Sequence, residues 1–145
     1  MKAWKKIRGF LATALILAVL FSAVRWWLSP RQVYQRNRDE LNAAVSAVLE
    51  AESAEGFTDR SIGMAQMVDY LSTRTAPIID FSTPSLSTLT PYAGLYYSVN
   101  GVPVADESGA ALVETEDGWT WTGTGDNRGK TWQIEGNWYG YTAWY

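Results

Sequence analysis

"GWTWTGTGDNRGKTWQIEGNWYGYTAWY", residues 118–145, decides how the C-terminal half of this chain folds. It contains a phosphate-loop lookalike, residues 123–131 ending in Gly-Lys-Thr, inside a run of tryptophan, tyrosine and threonine. A phosphate-binding loop needs a glycine six residues before its lysine and opens a helix. Thr124 occupies that place, with Gly123 one residue too early and Gly125 one too late. Thr131-Trp132-Gln133-Ile134 alternates polar and apolar as a strand does, and Asp126 would set negative charge against a phosphate. Gly125-Asp126-Asn127-Arg128-Gly129 is therefore expected to be a hairpin turn. A calcium loop is not expected either, because alternating ligands and a distant Glu are missing.

The same grammar extends upstream to Tyr92. "AGLYYSV" is aromatic and β-branched, Asn100-Gly101 is a hairpin-turn pair leading to "VPV", and "AALVETE" precedes Asp117-Gly118. With "WTWTG", "KTWQIE" and "WYGYTAWY" this predicts about five short antiparallel strands, as a β-meander or small barrel over residues 92–145.

Between Trp119 and Tyr145 the only large aliphatic residue is Ile134. A sheet must bury something, so the rings are the expected core. Trp119 and Trp121 share one strand face, Trp138 and Trp144 another, with Tyr139, Tyr141 and Tyr145 opposite the latter pair. The alternative is that Trp119, Trp121, Trp138 and Trp144 form a ligand or partner surface that stacks on sugar rings. The acids Glu114, Glu116, Asp117, Asp106 and Glu107 sit in turn-like sequence and define no cleft, so no catalytic residue is assigned.

Upstream, residues 82–91 form a Ser/Thr/Pro-rich loop, and Ile78-Ile79 begins a short strand. Residues 29–81 are expected to be a helical stalk. Its first helix starts with Ser29 as N-cap and Pro30 as first helical residue, and stops at Gly56. Val33, Tyr34, Leu41, Ala44, Val45, Val48 and Leu49 form an apolar stripe. Packing on the chain's own sheet accounts for the stripe better than a short coiled coil, which Asn37 interrupts. A second helix is predicted over Thr58–Thr73, burying Ile62, Ala65, Val68 and Leu71.

Residues 1–28 differ in kind. Sixteen uncharged residues, 9–24, follow Lys2, Lys5, Lys6 and Arg8 and precede Arg25, Trp26 and Trp27. A spanning helix needs roughly 20 apolar residues. Snorkelling of Arg8 and Arg25 and the Trp-Trp-Leu extension close the gap. A cleaved secretory signal and a buried soluble helix also fit the length. The poor cleavage site at Phe21-Ser22-Ala23, the lysine cluster and the Trp pair favour a signal anchor flanked by Lys5, Lys6, Arg8, Arg25, Trp26 and Trp27.

The expected fold class is α+β: a transmembrane helix, a helical stalk and an antiparallel sheet. The denser basic cluster places the N-terminus in the cytoplasm and the C-terminal domain outside.

Charge separates along the same line. Residues 1–38 hold eight of the twelve basic residues and no acid, whereas residues 39–145 hold all fifteen acids against four bases, a net of −11. Such a body repels nucleic acid. With no histidine and no cysteine, disulfides, thiolate nucleophiles, Cys/His zinc sites and a histidine base are excluded. The expectation is a non-enzymatic protein without cofactor or metal, anchored in the lipid bilayer, with an envelope protein or glycan as partner.

"KKIRGF" followed by an apolar helix, an amphipathic helix and a sheet resembles the layout of type IV pilin-like and pseudopilin subunits. The resemblance makes Gly9-Phe10 a leader junction and places Pro30 where such helices carry a proline. It implies a pilin-like assembly role. Ala14 stands where that family has Glu, and Arg25-Trp26-Trp27 shortens the apolar run.

Overall fold

A computed structural model describes residues 2–51, 57–58, 60–71, 76–84 and 91–145, with side chains from residue 10 onward except at 70 and 71. Helix α1 spans Lys2–Trp27 and α2 spans Pro30–Ala51. Eight strands follow: β1 Ser61–Ile62, β2 Ala65–Leu71, β3 Ile78–Ser82, β4 Tyr92–Ser98, β5 Leu112–Thr115, β6 Gly118–Thr122, β7 Arg128–Glu135 and β8 Trp138–Trp144.

Proline forces the break between the helices, since it lacks the N–H that would continue α1. The Ser29 N–H and hydroxyl both hydrogen-bond the Trp26 carbonyl, at 3.1 and 2.7 Å, closing α1. The Ser29 carbonyl then accepts the Val33 N–H at 3.0 Å, opening α2. Ser29 thus ties off the helix before it, rather than capping the next through its side chain. Pro30 is the first residue of α2 as its sequence predicts. The expected stop at Gly56 lies outside the described residues.

All strand pairs are antiparallel, in the order β1-β2-β3-β4-β8-β7-β6-β5. The sheet is open and has eight strands, against the expected five or a closed barrel. Five strands do arise from 92–145, but they are not one meander. Asn100-Gly101 makes no hairpin, because β4 pairs with β3 and β8. The chain from 99 to 111 instead crosses one face of the sheet before β5 begins.

The other three strands correct a second expectation. Residues 61–71 form β1 and β2 and not a helix. Ile62, Ala65 and Val68 recur at a spacing of three, which mimics a helical face. However, Gly63 adopts φ +57° and reverses the chain, after which Ala65 and Met67 point inward and Val68 is 43% exposed. The Asn37 side chain lies where a Gly63 Cβ would be, 2.2 Å from Oδ1. The positive φ and that contact together suit glycine at 63, and the Asn37 amide donates to the Val33 carbonyl at 2.8 Å where α2 breaks, with an Asn37 φ/ψ of −120°/20° that departs from the helix.

Helix α2 packs its stripe on one sheet face. Val33, Tyr34, Leu41, Ala44, Val45 and Val48 bury against Ile62, Ala65, Met67, Ile79, Phe81, Leu95 and Trp138. At the centre, the Trp138 indole donates to Asn42 Oδ1 at 2.9 Å and lies 5.3–5.6 Å from the rings of Tyr34, Phe81 and Tyr97. The opposite face is covered by the 99–111 crossing. Val104 joins Ile78, Tyr96, Tyr139 and Tyr141, while Ala105 packs with Trp121 and Ala143. Tyrosine hydroxyls satisfy the crossing's backbone: Tyr96 accepts the Val104 N–H at 2.9 Å and Tyr139 donates to the Gly101 carbonyl at 2.8 Å.

Candidate functional site

The four tryptophans singled out from the sequence do not form one surface. Trp138 is buried beneath α2 and Trp121 beneath the 99–111 crossing, each 2% exposed. Trp119 is half-buried on the crossing's face, edge-on to Tyr139 at 6.2 Å. Only Trp144 is exposed, with the Arg128 guanidinium 5.8 Å from its ring. Trp121 and Trp138 therefore lie in the core, and Trp144 is exposed.

Sequence reasoning passed over Trp132. Its register partner is Gly140, and a Cβ there would come within 2.7–2.9 Å of the indole. The ring thus lies across β8 in space that only a glycine leaves open. The signal was present in the alternation Arg128, Lys130, Trp132 along β7. Near Trp132, a groove of about 490 Å³ is bounded by Arg31, Trp119 and Gln133 and by the 114–118 turn. Glu114, Glu116 and Asp117 are exposed there, and Asp117 pairs with Lys130 at 3.3 Å.

The glycine-rich loop does hold an anion, and the anion is internal. Glu107 Oε1 accepts the Thr124 N–H at 2.8 Å, and Oε2 accepts the Asn127 side-chain amide at 2.9 Å. The Thr124 backbone bond, then the Asn127 amide, holds this carboxyl below the usual carboxylate range. A Gly123 Cβ would fall 2.0 Å from Oε2. The loop is the turn between β6 and β7, as expected, and its anion position is filled by the chain itself.

A second polar cluster lies under the crossing. Tyr141 donates to Asp80 at 3.4 Å and Tyr145 donates to Asp106. Burial, reinforced by Asp80 and Asp106, pushes the Tyr141 phenol far above its ordinary value. The gap among Ile78, Asp80, Tyr96, Val104, Asp106 and Tyr141 has no room for a water molecule. It is a close-packed structural network. Among the described residues, no group of three His, Cys, Asp or Glu side chains could hold a metal ion.

Of the anchor flanks, Arg25, Trp26 and Trp27 lie at the helix joint. Trp26 and Trp27 are exposed, and Arg25 stands 6.0 Å from the Phe21 ring. The Arg36 guanidinium lies 3.9 Å over the Trp27 ring and donates to the Trp27 carbonyl at 2.7 Å. Lys5, Lys6 and Arg8 lie in α1, but their side chains fall outside those described. From Phe10 onward α1 has the length and hydropathy to cross a membrane, and the apolar window that passes this test is 0% buried.

Comparison with protein-family models, curated proteins and solved structures found no match to this chain.

Proposed function

We propose that this chain is a single-pass membrane protein. Helix α1 crosses the bilayer with its N-terminus in the cytoplasm. The acidic body of α2 and sheet lies outside, with a non-catalytic binding or assembly role at the cell envelope. The observation that carries this reading is the contrast between the two helices. α2 buries its stripe on the sheet, whereas α1 leaves Phe10, Leu11, Leu15, Ile16, Leu17 and Leu20 each 57–75% exposed. A continuous apolar patch of that kind in water is a liability that a membrane removes. The lysine cluster before α1 and the indoles after it match the two interfaces.

Protease accessibility of intact cells and inverted vesicles tests both location and orientation. The expected result is a body cleaved only from outside and a chain that stays with membranes after alkaline carbonate washing. A body recovered from the cytoplasmic soluble fraction would end the reading. Mass spectrometry of the mature N-terminus separates the pilin-like alternative: a chain starting at Phe10 supports an assembly subunit, and an intact start supports the anchor.

A further inference from the structure

The geometry points to a glycan-binding row on β7 and β8, suited to an oligosaccharide that carries a carboxylate between two stacked sugar rings. α2 covers the sheet over β1–β4 and the Trp138 end of β8. Beyond it, the same face continues as three register pairs: Arg128 with Trp144, Lys130 with Thr142, and Trp132 with Gly140. Trp132 and Trp144 thus stand at the ends of a row whose middle pair carries Lys130, its ammonium held toward Asp117. Four residues at about 3.4 Å each set the indoles some 14 Å apart along the strands, the reach of a short oligosaccharide.

Each part suits that ligand. The apolar C–H face of a pyranose meets the negative face of an indole. Trp132 is laid across Gly140, and Trp144 is 39% exposed, so neither ring is spent on the core as Trp121 and Trp138 are. Charge is concentrated too. Residues 39–145 contain only four basic residues, and two of them, Arg128 and Lys130, are neighbours on this row. Lys130 meets Asp117 at 3.3 Å, with that carboxylate 79% exposed. A surface pair of this kind is weak and yields to a ligand's carboxylate. Single-stranded nucleic acid also stacks on aromatic rings, but it brings a phosphate at every nucleotide against a body of net −11. A sparsely charged glycan avoids most of that repulsion.

The row is built by two strands and does not depend on α1 lying in a bilayer, so its failure would leave the membrane reading intact. The test titrates the full chain in detergent micelles with a hyaluronan hexasaccharide, an acidic hexamer with a carboxylate on every second sugar, and with cellohexaose and a thymidine oligomer, following tryptophan fluorescence and heat. The acidic hexamer is expected to bind tightest, and more weakly as salt rises. Trp144→Ala and Lys130→Gln should each weaken it by about fivefold or more, the scale of a residue central to an interface. Trp144→Ala removes an exposed ring, and an unchanged denaturant midpoint would certify its fold. Trp132→Phe keeps a ring over Gly140 and should weaken binding less than Trp144→Ala. The inference is overturned if the acidic hexamer does not bind, if cellohexaose or the thymidine oligomer binds as tightly, or if Trp144→Ala and Lys130→Gln leave affinity unchanged.

Discussion

Gly129, the glycine of the Gly-Lys-Thr lookalike, is explained by Trp121. A Cβ at 129 would stand 2.4 Å from the Trp121 ring and 2.6 Å from the Thr142 carbonyl. Adding a methyl to so full a space costs about 1–3 kcal/mol. Gly129→Ala should therefore lower the denaturant midpoint. Because the obstacle is largely the indole, Trp121→Leu should absorb part of the loss, with a coupling of at least about 0.5 kcal/mol in a double-mutant cycle. Strict additivity would show that Trp121 is not the obstacle. Glu107 carries the second residue-scale prediction. Its folded-state pKa is depressed, so its contribution is fully present above the unfolded carboxyl value of about 4.3 and disappears as pH falls through the folded value. Hydrogen-exchange protection at Thr124 should drop over that acid window in the native chain and be low at every pH in Glu107→Ala. Glycine spacing in the sequence was enough to reject a phosphate loop. It could not supply the occupant, because the carboxylate comes from 17 residues upstream.

Among the elements, α2 was legible because its stripe has one period and one partner face. β6, β7 and β8 were legible because alternation and Gly turns agree. The 58–73 segment was misread for a physical reason. The Gly63 turn sets Ile62 and Ala65 three apart across a hairpin, and a β-bulge between Met67 and Asp69 interrupts the period of two further along, so the run imitates a helix. The surface carrying Trp132 and Trp144 was only half legible. Strand alternation put Trp138 and Trp144 on one face, but where α2 stops covering that face depends on tertiary packing. Trp138 is where helix and sheet depend on each other, through a hydrogen bond to Asn42 and three ring contacts. Trp138→Ala should cost about 3–5 kcal/mol, as large aromatic truncations in a core do. The α2 helical signal and the sheet's near-ultraviolet signal should then still be lost in one transition. A variant in which α2 melts separately would show that Trp138, and not the rest of the apolar stripe, couples the helix to the sheet.

For the molecule as a whole, the stance of the body relative to α1 is set at a short joint, because only Leu28 and Ser29 lie between the two helices. Two residues without helical restraint would let the body swing. Arg36 opposes that swing by gripping both the ring and the carbonyl of Trp27. A cation over an indole is worth about 0.5–1 kcal/mol at an exposed site and more when desolvated, and the charged hydrogen bond adds to it. Together they are enough to favour one joint angle without freezing it. The chain has no cysteine, so introduced thiols label cleanly. Spin labels at Ser22→Cys in α1 and Ser46→Cys in α2, both exposed positions, report the angle as a distance. In nanodiscs the native joint should give one narrow distance distribution. Arg36→Gln should broaden it while the stability of the sheet stays unchanged, since Arg36 takes no part in the α2–sheet core. An equally narrow distribution in Arg36→Gln would assign the joint's stiffness to Pro30 and the Ser29–Trp26 hydrogen bonds instead. The distinction matters for the β7–β8 row: a body held at a fixed angle presents Trp132 and Trp144 in one direction from the membrane, and a swinging one presents them in many.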